Sequence, residues 1–372
     1  MRFLHPVHNF YTRFERPISS FSLLLGFIFD AFTLRRVDAL WENVWISGYL
    51  FIIAVFIILI HLKETESSDL PRPEGRGKEN LSKAHFWYVN ILQFAFGGVF
   101  SAFLVLYFRS ADIMVAWPFI ALLVLIFIGN EFLKKHYIRL GFQISLFFLS
   151  IYWFSIFVIP VLLRKIGAEI FLFSGLVSII LIALFIKVLF YFTKGKFAKS
   201  KNLIYWLITI IFILVNILYF TNVIPPIPLS IKEGGVYHSV YRNEKGNLVV
   251  AYEKHGWRDY FNLYPDFKKV TGKPVYAFSS IFSPKGLDLS VQHEWQYYNE
   301  TKDEWATKSV VDLSVVGGRD GGFRTYSKLS NLAPGRWQVN VKTEQGQLIG
   351  RLRFTIVPVY TEPALTTMIK LK

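Results

Sequence analysis

The chain has 372 residues, enough for two structural units, of which 53% are hydrophobic and only 18% charged, with no cysteine. That balance departs from a soluble domain towards the membrane class, and the lack of cysteine excludes disulfides, thiolate metal sites and thiol nucleophiles. The formal net charge of +15 does not point to nucleic acid, because many basic residues, Lys194, Lys196, Lys199 and Lys201 among them, stand in short segments between apolar stretches, where anionic headgroups and topology account for them.

From the N-terminus, apolar stretches at residues 18–34, 44–62, 85–108, 113–133, 141–163, 166–192 and 203–224 approach or exceed the ~20 residues a spanning helix needs. They predict a bundle of about seven transmembrane helices. The first stretch is short and carries Asp30, so a six-span arrangement with a re-entrant or interfacial start is the competing reading. Residues 1–16 are polar and aromatic and no small-residue cleavage site follows them, so no cleavable signal is expected. Fifteen Lys and Arg flank the stretches on one side and five on the other before the β-rich region. The positive-inside rule then places the N-terminal segment, 1–17, in the cytoplasm and the C-terminal region outside the cytoplasmic membrane.

Residues 63–84 mix prolines, glycines and charges of both signs and are expected to form a flexible cytoplasmic linker. The bundle is expected over 18–224. A Pro-rich connector follows at 225–231, in which Pro225, Pro226 and Pro228 leave too few backbone donors for a helix.

From Val236 the apolar period becomes two. Leu289, Val291, His293, Trp295 and Tyr297 alternate with Ser290, Gln292, Glu294 and Gln296, the pattern of a half-buried strand. The alternation recurs around Val311–Val315, Trp337–Val341 and Leu352–Ile356, between turn signals such as Gly317-Gly318 and Pro334-Gly335. An all-β, sandwich-like extracytoplasmic domain of the immunoglobulin-like kind is predicted over 232–358, with a short helix around 260–269 and a tail at 359–372.

The run Val275-Tyr276-Ala277-Phe278-Ser279-Ser280-Ile281-Phe282, the His293-Glu294-Trp295 step, the Gly-rich segment from Gly317 to Arg324, Ser327 and Pro334-Gly335-Arg336-Trp337, with Gly346 and Gly350, together resemble a bacterial domain of unknown function that often follows a multi-pass membrane segment. The bundle is similar to the membrane half of such proteins at Gly26-Phe27-Ile28-Phe29-Asp30, Gln93-Phe94-Ala95-Phe96-Gly97-Gly98, Asn130-Glu131 and the stretch from Ile224 to Ser230. The resemblance implies this architecture and no catalytic residue.

Asp30 is the sharpest candidate inside the bundle, since an ionisable group at membrane depth is costly and faces protein or water. Pairing with Arg35 or Arg36 is its structural alternative. Asn90, Gln93 and Asn216, together with Gln143, are expected to hydrogen-bond between helices, with Gly97 and Ser101, or Gly98 and Ala102, at the spacing that permits close packing. Glu131 has the spacing to pair with Lys134 and Lys135. In the β-rich domain His293 is expected in a core or edge position, and no His/Asp/Glu spacing defines a metal site, so neither metal nor cofactor is expected. Arg319 in the 317–322 loop could meet an anion. Trp257, Tyr260, Tyr264, Tyr297, Tyr298, Trp305 and Tyr326 exceed what a small sandwich needs inside, so Trp257, Trp305 and Tyr326 become candidate ligand-binding rings. Without a nucleophile, base and orienter set, the leading expectation is a non-enzymatic module, anchored in the lipid bilayer, that binds or senses an envelope component or envelope protein. A small-solute transporter or channel built on Asp30, Asn90, Gln93 and Asn216, and a membrane enzyme using Asp30, His238 or His293, are the alternatives.

Overall fold

The computed structural model describes residues 15–34, 39–69, 76–110, 113–133, 136–137, 139–193, 196–224, 226, 229–254, 262–284, 287, 289–316 and 322–370. The chain divides into two compact units, one mostly helical and one, Ile224–Lys372 with the short segments Ser110–Ala116 and Arg164–Gly167, rich in strands.

Among the described residues the first unit has seven helices: α1 (Glu15–Thr33), α2 (Leu40–Asp69), α3 (Arg76–Ser110), α4 (Ile113–Phe132), α5 (Leu140–Leu163), α6 (Ala168–Thr193) and α7 (Lys196–Phe220). Five, in α2, α3, α5, α6 and α7, are long and apolar enough to cross a membrane; α1 and α4 show shorter apolar stretches, Leu24–Thr33 and Ala116–Asn130. Helix α3 is the centre, with 78% of its apolar window buried against 17% for α7. Its Phe96, Phe100, Phe103 and Tyr107 are buried; Phe100, Phe103 and Tyr107 pack against Trp153 and Phe157 of α5 and Phe119 of α4, and Phe96 against Phe100 and Tyr137. Outward faces keep large apolar side chains exposed, such as Leu176, Leu184, Ile213 and Ile217. Helices α2 and α3 run into the stretch expected as a linker, reaching Asp69 and starting at Arg76. Glu, Lys, Leu and Ala in that stretch are good helix formers, and polarity alone does not end a helix.

Among the described residues the second unit has eleven strands: β1 (Ser230–Tyr237), β2 (Ser239–Arg242), β3 (Leu248–Glu253), β4 (Asp266–Val270), β5 (Val275–Phe282), β6 (Leu289–Asn299), β7 (Glu304–Val315), β8 (Phe323–Leu329), β9 (Gly335–Thr343), β10 (Leu348–Val359) and β11 (Leu365–Lys370). They make three sheets, ordered β1-β5-β8, β4-β10-β9-β6-β7 and β11-β3-β2. The first is the middle layer. Between it and the five-stranded sheet lie two apolar clusters, one joining Val275 and Ala277 of β5 to Trp295, Trp337, Val339 and Phe354, the other joining Ile281 to Val291, Val315 and Val341. The opposite face carries Phe278 into a small further core with Tyr237, Val240 and Val250. Three layers replace the two-sheet sandwich expected, because β5 is apolar on both faces. In the described part of the helix expected around 260–269 there is no helix and strand β4 begins at Asp266, and part of the expected tail is strand β11.

Gly322, with φ of +80°, closes the connection into β8; a Cβ there would lie 2.6 Å from Ser280 Oγ and 3.0 Å from the Ile281 backbone, so the position requires glycine.

Candidate functional site

On the five-stranded sheet, side-chain alternation turns Val291, His293, Trp295 and Tyr297 towards the core side and leaves Gln292, Glu294, Gln296 and Tyr298 on the opposite face. The register brings Trp305 beside Tyr298 and Thr307 beside Gln296 on β7, and Gln338 beside Gln296 and Asn340 beside Glu294 on β9. One face therefore gathers an amide and carboxylate ladder from three strands.

The ladder is closely bonded. Gln338 Nε2 and Asn340 Nδ2 both donate to Gln296 Oε1, at 2.7 and 2.9 Å. Asn340 Nδ2 also donates to Glu294 Oε2 at 3.1 Å, and Thr307 Oγ1 to Glu294 Oε1 at 2.9 Å. Gln296 Nε2 returns a bond to Thr307 Oγ1, and Arg351 Nε donates to Asn340 Oδ1 at 2.6 Å. Lys342 forms an ion pair with Glu294. Burial pulls the Glu294 pKa upward, but the bonds from Lys342, Asn340 and Thr307 outweigh it and hold the carboxyl below its ordinary range. Gln338 and Asn340 are buried and their amides are committed within the ladder, so they fix Glu294 and Gln296, which keep part of their surface open.

Aromatic rings stand at one end of this ladder. Trp305 lies 5.1 Å from Tyr298 and stacks at 6.2 Å, 14° from parallel, with Tyr264. Tyr264 is held by its own backbone: its carbonyl accepts from Thr355 Oγ1 and the neighbouring Pro265 carbonyl from Thr355 N. The Arg336 guanidinium sits 4.0 Å over Tyr298, and that of Arg353 5.8 Å from Tyr264, within cation–π range. All three rings keep part of their surface open. Flat apolar rings next to fixed hydrogen-bonding groups are the two elements that a site for a sugar or an extended peptide combines.

The other expected site residues fall elsewhere. Trp257, Tyr260 and Arg319 lie outside the described residues. Tyr326 is on the other side of β8, near Tyr276 and the small further core, and does not join Trp305. His293 is fully buried between the sheets, its ring nitrogens 2.8 Å from Ser279 Oγ and 2.9 Å from Ser327 Oγ, while Trp295 Nε1 donates to Ser327. Burial depresses its pKa to about 4, which keeps the imidazole neutral as a bolt between two layers. His238 stacks on Phe267 and hydrogen-bonds Glu253. No group of three or more His, Cys, Asp or Glu that could hold a metal occurs among the described residues.

In the bundle, Gln93 and Asn130 exchange side-chain-to-backbone bonds at 3.2 Å between α3 and α4. Tyr137 donates to Asn130, Gln143 donates to the Tyr137 carbonyl, and His61 of α2 meets Gln143 at 2.9 Å. This buried clasp ties four helices together. Its members His61 and Tyr137 are not among the expected residues, because each stands where an apolar stretch gives way to a polar one and neither contrasts with its neighbours. Asn216 bonds Tyr152 of α5 and the Phe212 carbonyl, and Asn90 the Phe86 carbonyl of its own helix. Asp30 is 1% exposed. Arg35, Arg36, Lys134 and Lys135 lie outside the described residues, and the Glu131 side chain is likewise not described. Asp30, Asn90, Gln93 and Asn216 have separate partners.

Solved structures with some similarity to the chain include a β-glucosidase from Listeria innocua, at 12% identity over 26% of this chain and 15% of the enzyme with a TM-score of 0.20. An alkylpurine DNA glycosylase from Pseudomonas fluorescens bound to DNA aligns at 12% identity over 86% of this chain and 99% of its own, with a TM-score of 0.22. Scores this low establish neither a common fold nor a common function. No curated protein matches the chain. The family model described as a protein of unknown function (DUF2914) matches residues 288–356, which run from the start of β6 into β10 and so contain His293, Trp305 and the whole polar ladder.

Proposed function

We propose that this chain is a multi-pass protein of the cytoplasmic membrane whose bundle anchors a non-enzymatic β-rich binding module on the outer side. The observation that carries the reading is the Tyr264–Trp305–Tyr298 ring group next to the Gln296, Gln338, Asn340 and Glu294 ladder. The proposed ligand is a saccharide or extended peptide of the cell envelope, laid across the rings with its hydroxyl or amide groups at Glu294 and Gln296, the partly exposed members of the ladder. Membrane insertion is supported by the five long apolar helices and their exposed apolar faces, which water would penalise at about 25 cal/mol per Å². The orientation rests on the basic-residue bias alone.

The test uses the full chain in lipid nanodiscs and purified envelope polysaccharide or cell-wall fragments. Cosedimentation is expected, weakened on the order of tenfold or more by Trp305→Ala, equivalent to about 1.4 kcal/mol, and unaffected by Tyr326→Phe. Retention that survives Trp305→Ala and Tyr298→Ala together would remove this face as the site.

A further inference from the structure

Asp30 is a buried carboxyl in an apolar helix, and its surroundings account for one protonation state better than the other. Phe27 meets Phe127 of α4, and Phe29 meets Trp45 of α2, so α1 is fixed with Asp30 turned inward. From α3, the Ser101 hydroxyl lies beside the carboxyl. From α2, the Tyr49 hydroxyl is close enough to interact with it, its ring pressed onto Gly98, one turn before Ser101. The one described cation that reaches this end of α1 is Arg109, which donates to the Ala31 carbonyl and so supports the helix terminus.

Two atoms here are left over. Among the described residues neither Asp30 Oδ1 nor Ser101 Oγ makes a hydrogen bond of acceptable geometry, although both are shielded from solvent and their residues are 1% and 2% exposed. Buried polar atoms are rarely left so. A single bond between them would satisfy both, and it can run in either direction. If Ser101 donates, Asp30 keeps a full negative charge with one hydroxyl against it, and a lone buried carboxylate costs far more than one such bond returns. If Asp30 donates, the pair is neutral and complete. A metal cation is a poorer fit, because it needs about six oxygen ligands, whereas Asp30, Ser101 and Tyr49 offer four side-chain oxygens.

We infer that Asp30 is a proton-binding site of the bundle, holding its proton on Oδ1 and donating it to Ser101 Oγ. The inference is independent of the ligand-binding reading of the β-rich unit. It assigns the bundle a group that takes up and releases one proton between α1, α2 and α3, with Tyr49 as the neighbouring titratable residue and Arg109 as the neighbouring fixed charge.

Infrared difference spectroscopy of the full chain in lipid nanodiscs tests this. At neutral pH a carboxylic-acid carbonyl band is expected in the wild type, shifted on exchange into heavy water and absent in Asp30→Asn. In Ser101→Ala the band should persist but move to higher frequency, because its hydrogen bond is lost; Ser101→Thr should restore it. Should Asp30→Asn fail to fold, the wild-type band and its response to Ser101→Ala still decide the matter. Identical neutral-pH spectra for wild type and Asp30→Asn would show an ionised Asp30 and overturn the proposal. So would a band that disappears on adding sodium at constant pH, which would mark a metal-cation site instead.

Discussion

His293 shows how one buried residue makes a whole layer sensitive to pH. Its folded pKa of about 4 lies below the ordinary 6.5, so between those values the unfolded chain binds a proton that the folded chain refuses. The contribution is therefore complete above pH 6.5 and is lost progressively as the pH falls towards 4, to a total of about 3 kcal/mol. Hydrogen exchange of the β6 amides in the full chain should accelerate across that interval, and His293→Gln should flatten the dependence while weakening protection at neutral pH. An unchanged pH profile in the variant would place the acid sensitivity in other groups. The sequence marks His293 as an interior residue because it shares a strand face with Val291 and Trp295 and alternates with Gln292 and Glu294. Its two serine partners are not legible there, since Ser279 and Ser327 are 14 and 34 residues away and meet it only once two sheets are stacked.

At the scale of elements, helix positions are legible because a run of about twenty apolar residues is too long for a strand and long enough to span a bilayer as a helix. The strands β6, β7, β9 and β10 are legible through their period of two, whereas β8 is not read from the sequence. β4 is not: Phe267 and Lys269 are buried while Asp266 and Lys268 are exposed, but five residues of alternation do not distinguish a strand from a helical turn without the parallel partner, β10, that pairs Ile356 with Phe267. The polar ladder escapes a sequence reading for a related reason. Glu294 and Gln296 read as a solvated face, and only the register sets Gln338 and Asn340 opposite them. Close packing between helices is legible at Gly98, and the geometry gives it a test. A Cβ there would stand 2.6 Å from the Tyr49 ring, whereas one at Gly26 would meet nothing within 4 Å. Gly98→Ala should lower the thermal stability of the detergent-solubilised protein by about 1–3 kcal/mol, and Gly26→Ala should leave it unchanged or slightly raised. Equal effects at the two positions would show that the α2–α3 contact is not tight.

For the whole molecule the decisive property is orientation, because the proposed binding face serves an envelope ligand only if the strands lie outside. The charge bias that sets this is distributed over several short segments, among them the basic run that holds Lys199 and Lys201 at the start of α7, so no single substitution is expected to reverse it. The absence of cysteine from all 372 residues makes every introduced thiol a unique reporter. Ser330, exposed in the turn between β8 and β9, and Asn202, exposed at the start of α7, sit on opposite sides of the membrane under the proposed topology. In intact cells a membrane-impermeant maleimide should label Ser330→Cys at once, and Asn202→Cys only after permeabilisation. The reverse pattern would turn the β-rich unit to the cytoplasm and require a cytoplasmic ligand for the Trp305 face. Labelling of both sites in intact cells would mean that the apolar helices do not separate two compartments, which would leave the exposed side chains of α6 and α7 in need of a protein rather than a lipid partner.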